Sequence, residues 1–184
     1  MKEQKIDLEK ALYFAKIKHE GQTRQGGEPY VTHPIRVAEI IKENKVGAKY
    51  HDELIAAALL HDTMEDTETS YQELKRNFGE MVASLVLELT DPKYTQRYLG
   101  KKEYMTKKMG QMTSYVLTLK LADRLDNLRD MKNATEEFRQ RQLTDTRYIL
   151  ENLDVEYTNS QQKLVALVRE ELAKYEVGGK GIHA

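Results

Sequence analysis

The stretch "DELIAAALLHDTMEDTET", residues 52–69, decides the fold. Its first part is apolar nearly all round, the pattern of a helix buried on every side rather than one lying on a surface. It then runs directly into His61, Asp62, Glu65 and Asp66. Burying an unpaired carboxylate is costly, and like charges this close raise one another's pKa. A positive partner is expected at that helix end, and a divalent metal ion fits best.

Helical period extends outward in both directions. Asp7 caps a first helix, "LEKALYFAKIKHEG", with Leu8, Leu12, Ala15 and His19 near one face and Gly21 as its stop. The segment "QTRQGGEPYVTHP" reads as a loop, and Pro34 suits the first turn of a helix reaching Glu43. Ser70 and Glu73 form a capping-box pattern on a short helix that Gly79 ends. "SYVLTLKLADRLDNLRDM" begins with a strand-like run, but Leu121, Leu125 and Leu128 keep helical spacing. Two further helices are expected between Thr135 and about Tyr175, broken near "YTNS". No hairpin signal appears, so the expected class is all-α. The expected organisation is one domain over residues 1–175 with a flexible tail over 176–184.

Bulk properties exclude several functions. Lys and Arg number 29 against 30 Asp and Glu, so no basic surface marks a nucleic-acid binder. No apolar run reaches 18 residues, which excludes a membrane helix, and the charged start "MKEQKIDLEK" is unlike a signal peptide. Cysteine is absent, which removes disulfides and thiolate metal sites. These features lead to the expectation of a cytoplasmic protein. The composition assigns no oligomeric state.

Four groups form a candidate metal set: His33 at the lip of the second helix, His61 and Asp62 at the end of the third, and Asp123 within "LKLADRLD". Imidazoles with carboxylates suit Mn²⁺, Fe²⁺ or Zn²⁺ with positions left for water. The bland reading is a set of hydrogen-bonded core residues, and "HD" alone is a common dipeptide. If the helix continues past Asp62, Glu65 and Asp66 lie one turn beyond His61 and Asp62. There they can exchange protons with a water molecule and a leaving oxygen. The competing reading makes "EDTET" a solvated acidic turn. Asn127 lies one turn beyond Asp123, as a substrate contact or a satisfied polar residue. "KKEYMTKK", residues 101–108, is either an attractor of polyanions or a solvated helix face.

Four ordered stretches, "HEGQTRQGGEPYVTHPIRVAEI", "AALLHDTMEDT", "FGEMVASLVLELTD" and "LKLADRLDNLRDM", resemble the hydrolase domain of RelA/SpoT-type enzymes. That domain lies within the HD phosphohydrolase superfamily, and the resemblance is greatest to the stand-alone small alarmone hydrolases. It covers about residues 8–135 and implies an all-α HD-domain helical bundle. It also implies hydrolysis of the 3′-pyrophosphate of ppGpp or pppGpp, giving GDP or GTP and pyrophosphate. By the same resemblance His33, His61, Asp62 and Asp123 hold one Mn²⁺ per chain, and Glu65 and Asp66 are the catalytic acidic pair. Arg24 and Asn127 contact the nucleotide. Gln25 stands where the family often carries a basic residue against the base, which opens the base preference. The alternatives are an adenosine alarmone such as ppApp, a 2′- or 3′-phosphorylated cofactor, or an alarmone sensor without turnover. Arg141 and Tyr148, beyond the resemblance, are read either as neighbours of the pocket or, in preference, as surface salt-bridge and packing residues.

Overall fold

The computed structural model describes residues 5–44, 49–91 and 100–178. Helices make up the architecture, and the only β pairing among the described residues is an isolated bridge between Thr23 and Pro29. The elements are α1 (Leu8–Lys18), α2 (Thr32–Glu43), α3 (His51–Leu60), α4 (Thr63–Asp66) and α5 (Tyr71–Leu89). They continue as α6 (Lys101–Gln111), α7 (Ser114–Arg129), a 3₁₀ turn (Asp130–Asn133), α8 (Glu136–Asn152) and α9 (Asn159–Gly178). The expected tail at 176–184 meets α9 running to Gly178, and its remainder lies outside the described residues.

Helix α3 is the axis of the fold. Seven consecutive residues, Leu54 to Leu60, are buried. Ala56, Ala57 and Ala58 are small enough to let neighbouring helices approach closely, and α1, α2 and α5 pack round it. Replacing a leucine such as Leu54 or Leu60 by alanine there would cost about 2–5 kcal/mol. Helix α7 is the second buried element, lying against α2 and α9. Its strand-like start becomes helix because Val116, Leu117 and Leu119 all find apolar partners, and burial overrides the weak propensity of β-branched residues.

Local signals act as the sequence indicates. Asp7 caps α1, accepting from the Lys10 backbone N–H at 2.9 Å, and Ser70 caps α5 by accepting from the Glu73 N–H. Such caps contribute about 1 kcal/mol each. The buried face of α1 is carried by Ala11 and Ala15, with Leu8 and Leu12 half-buried beside them. Gly79 has φ 87° and ψ 167°, a conformation that side-chain-bearing residues avoid, so it kinks α5 where the sequence ends a short helix. The break before α9 falls at 153–158.

Candidate metal centre and its cavity

The four candidate ligands converge where α2, α3 and α7 meet. His61 follows the last turn of α3, His33 lies in the first turn of α2, and Asp123 is in the middle of α7. Ligating atoms of His33, His61 and Asp62 lie within 4.8 Å of one another. Asp123 Oδ1 is 3.2 Å from His33 Nε2 and 3.9 Å from His61 Nε2, so it reaches both imidazoles. The C-terminal end of α3 adds partial negative charge, which also favours a cation.

The far side of each ring is fixed. His33 Nδ1–H donates to Asp126 Oδ2 at 2.7 Å, and His61 Nδ1–H donates to the Ala58 carbonyl at 2.7 Å. In its neutral form each ring then presents its Nε2 lone pair to the cluster, the arrangement a metal-binding histidine requires. His61 Nε2 is buried and makes no hydrogen bond among the described residues, although Asp62 Oδ2 lies 3.1 Å from it. Asp123 is held equally firmly: Asn127 Nδ2 donates to Oδ1 at 2.6 Å, and Lys120 Nζ lies 2.9 Å from Oδ2.

The electrostatics call for positive charge. Burial works against protonating His61, yet Asp62 and Asp123 outweigh it and lift its pKa to about 9. The His33 pKa is also raised, since bonds to Asp123 and Asp126 overcome burial. Burial would raise Asp62 and Asp123, but the imidazoles, with Lys120 beside Asp123, hold both below the usual carboxylate range. A proton or a cation can satisfy this cluster. A divalent ion uses both unprotonated Nε2 atoms at once, so the residues fit such an ion.

A cavity of about 250 Å³ opens from the cluster. Glu65 and Asp66, on the one-turn helix α4, line it together with Arg24, Tyr30 and Asn127. Helix α3 ends at Leu60 and α4 begins at Thr63, with Asp62 at φ −94° and ψ −6°, so the expected continuous helix past Asp62 is interrupted by a turn. The Glu65 N–H bonds the Asp62 carbonyl at 3.2 Å, and both acids still line the cavity. Glu65 is half-buried; burial lifts its pKa against the Asp91 N–H it accepts at 3.0 Å. Arg24 donates through Nε to Asp130 at 2.8 Å and through Nη2 to Asn127 Oδ1 at 2.7 Å. Gln25 does not line this cavity. It borders an adjoining groove with Thr23, Tyr30, Ala134 and Phe138.

Several lining residues were not expected from sequence. Tyr30 donates toward Asp62 and Asp66, and burial with those two acids raises its pKa far above the usual phenol range. Lys120 and Asp126 stand three residues either side of Asp123, a spacing that would have marked them as neighbours. Helix α8 contributes Gln142, Asp145 and Ile149. Arg141 lies over the Phe138 ring and Tyr148 under Lys102, outside the lining. The lysine run divides: Lys101 and Lys102 reach the cavity, while Lys108 is tied to Asp91 at 2.7 Å.

The HD-domain family model HD_4 matches residues 11–153. A curated guanosine-3′,5′-bis(diphosphate) 3′-pyrophosphohydrolase from Aquifex aeolicus (strain VF5) is 40% identical over 144 residues, covering 73% of this chain and 19% of that protein. The Xenopus tropicalis guanosine-3′,5′-bis(diphosphate) 3′-pyrophosphohydrolase MESH1 is 39% identical over 129 residues, covering 69% of this chain and 70% of its own length. A solved structure described as a metazoan ortholog of SpoT that hydrolyzes ppGpp superposes with TM-score 0.75 at 29% identity, over 92% of this chain and 98% of that one. The chain spans about a fifth of the long SpoT-type relatives, 19% in the Aquifex protein and in Escherichia coli (strain K12) SpoT, and over two thirds of the short MESH1 protein.

Proposed function

This chain belongs to the HD-domain family, and on that premise we propose that it is a metal-dependent hydrolase releasing pyrophosphate from the 3′ position of a guanosine alarmone such as ppGpp. The observation that carries the reading is the buried His61 Nε2, without a hydrogen bond among the described residues, beside His33, Asp62 and Asp123, which line one cavity with Glu65 and Asp66. The activity for which the MESH1 and Aquifex relatives are named supplies the substrate class.

His33, His61, Asp62 and Asp123 would hold one divalent ion, with Mn²⁺ the ion implied by the family resemblance. When bound, such an ion acidifies water and draws charge off phosphate. The chain's own residues supply the rest. Water oxygen attacks the phosphorus carried on the ribose 3′ oxygen, and that P–O bond breaks. Glu65 and Asp66 handle the protons: one leaves the attacking water, and one returns to the ribose oxygen. Burial raises the Glu65 pKa, which favours its taking up a proton. Lys101, Lys102, Lys120 and Arg124 line the same cavity and offset phosphate charge, while Arg24 and Asn127 hold the nucleoside.

Gln25 favours a second reading alongside the first, in which adenosine alarmones are also turned over, because it brings no charge to the groove beside Arg24. The test is a panel of ppGpp, pppGpp, ppApp and a 2′-phosphorylated dinucleotide with Mn²⁺-loaded protein, products identified by anion-exchange chromatography. GDP and pyrophosphate from ppGpp are expected. Binding of ppGpp without any product would make the protein a sensor and overturn the hydrolase reading.

A further inference from the structure

Tyr30 joins the two halves of the site. Its hydroxyl lies 2.7 Å from Asp62 Oδ2 and 3.0 Å from Asp66 Oδ2. One O–H carries one proton, so the two carboxylates share a single donor. Their facing oxygens are therefore at most about 6 Å apart, close enough to repel without it. Among the described residues the Asp66 carboxylate receives no other hydrogen bond, and Asp66 is otherwise exposed.

The ring that delivers this hydroxyl is itself held. It stacks on His19 with centroids 4.8 Å apart, meets the edge of His33 at 6.2 Å, and has the Arg24 guanidinium 5.6 Å from its centre. His19 Nδ1–H donates to Gln22 Oε1 at 2.8 Å, and the Gln22 amide donates to the Asp66 carbonyl at 3.1 Å. The Tyr30 N–H donates to the Gln22 carbonyl at 2.9 Å. One loop thus grips Asp66 by main chain and side chain together.

We infer that Tyr30 is a positioning residue whose shared hydroxyl holds the Asp66 carboxylate against the Asp62 side of the ligand cluster. The inference rests on the hydrolase reading for its effect on turnover, but not for its effect on metal affinity.

A double-mutant cycle of Tyr30→Phe and Asp66→Asn, in the full chain, reads both. With Tyr30 present, Asp66→Asn should weaken Mn²⁺ binding by about 3–10-fold, since a charge within about 6 Å of the Asp62 oxygen is removed. With phenylalanine at 30, Asp66 is free to turn to solvent, and the same change should weaken binding less than about twofold. Tyr30→Phe should lower kcat by about 10–100-fold with KM within threefold, and should cost little more once Asp66 is asparagine. Glu65→Gln, which Tyr30 does not touch, should combine with Tyr30→Phe additively. An additive Mn²⁺ cycle would overturn the inference. Additivity means that Tyr30→Phe changes Mn²⁺ affinity equally in both backgrounds, so Tyr30 would serve Asp62 alone. A wild-type protein that turns over no alarmone would sink the hydrolase reading, and the Mn²⁺ cycle would still decide this one. If Tyr30→Phe fails to fold by circular dichroism, Gln22→Ala loosens the same loop and takes its place in the cycle.

Discussion

Asp126→Asn should separate metal binding from folding. Asp126 is 1% exposed and spends both oxygens: Oδ2 accepts from His33 Nδ1–H at 2.7 Å, and Arg36 donates to Oδ1 at 2.7 Å and to Oδ2 at 3.1 Å. An asparagine keeps the shape but brings an NH₂ in place of one oxygen. If its oxygen stays on Arg36, the NH₂ faces His33 Nδ1 and selects the tautomer with hydrogen on Nε2. That nitrogen then cannot ligate without breaking the new bond. Loss of such an outer partner typically costs 10–100-fold in metal affinity, or about 1.4–2.7 kcal/mol. The fold should suffer less than from stranding a buried charge, which costs about 3–5 kcal/mol. Arg36 is partly exposed and keeps Asp130 at 3.1 Å and Glu28 at 3.4 Å, so about 1–3 kcal/mol is expected. Calorimetric titration with Mn²⁺ measures the first effect, and urea unfolding of the ion-free protein the second. Mn²⁺ affinity unchanged within threefold would refute the claim that Asp126 sets the His33 tautomer.

Four other outcomes follow from the site. Glu65→Gln should retain Mn²⁺ and lose about 10²–10⁴-fold in turnover, measured as pyrophosphate release; wild-type turnover would reduce Glu65 to part of a solvated turn. Ion-free protein should lose stability as pH rises through about 9, because the raised His61 pKa contributes stability that is complete below the ordinary value of 6.5 and vanishes above the folded one. Over the same range Mn²⁺ affinity should rise, as the proton on His61 ceases to compete, and a pH-independent titration would contradict this. Gln25→Lys should increase discrimination between ppGpp and ppApp from a wild-type ratio of about tenfold or less in kcat/KM. A natural preference near a thousandfold, about 4 kcal/mol, would mean that other groups read the base.

Much of this arrangement was legible before the structure. The all-round apolar pattern of residues 54–60 marked α3 as central, and its abrupt junction with His61 and Asp62 marked the site. Gly79 and the "YTNS" break also punctuated the chain as read, because both signals are local. What stayed hidden depends on which helix faces meet. In "LADRLDNL" both Asp123 and Asp126 border leucines, and nothing local says that Asp123 faces the two Nε2 atoms while Asp126 stands behind His33. Tyr30 was hidden because its partners lie 32 and 36 residues away. Lys101 and Lys102 could not be told from Lys108 by charge alone, since only packing sends one lysine to Asp91 and the others to the cavity.

The site divides rigid from adjustable parts along the lines of the fold. His61, Asp123 and His33 stand on helices buried against one another, and each has a second partner that fixes its side chain: the Ala58 carbonyl, Lys120 with Asn127, and Asp126. Their geometry therefore comes with the core and would be lost only with it. Glu65 and Asp66 stand on a one-turn helix, and Arg24 and Tyr30 on a loop closed by a single bridge, with far less apolar burial to hold them. Segments of that kind open locally at low cost. A binding site for a cation gains from rigidity, because the ligands must not relax toward one another when their charges repel. On the proposed hydrolase reading Glu65, Asp66 and Arg24 would pass protons and admit a nucleotide, and such groups gain from movement, provided something returns them to register. The hydrogen bonds running from His19 through Gln22 to Asp66, with the Tyr30 hydroxyl beside them, are the contacts suited to that task.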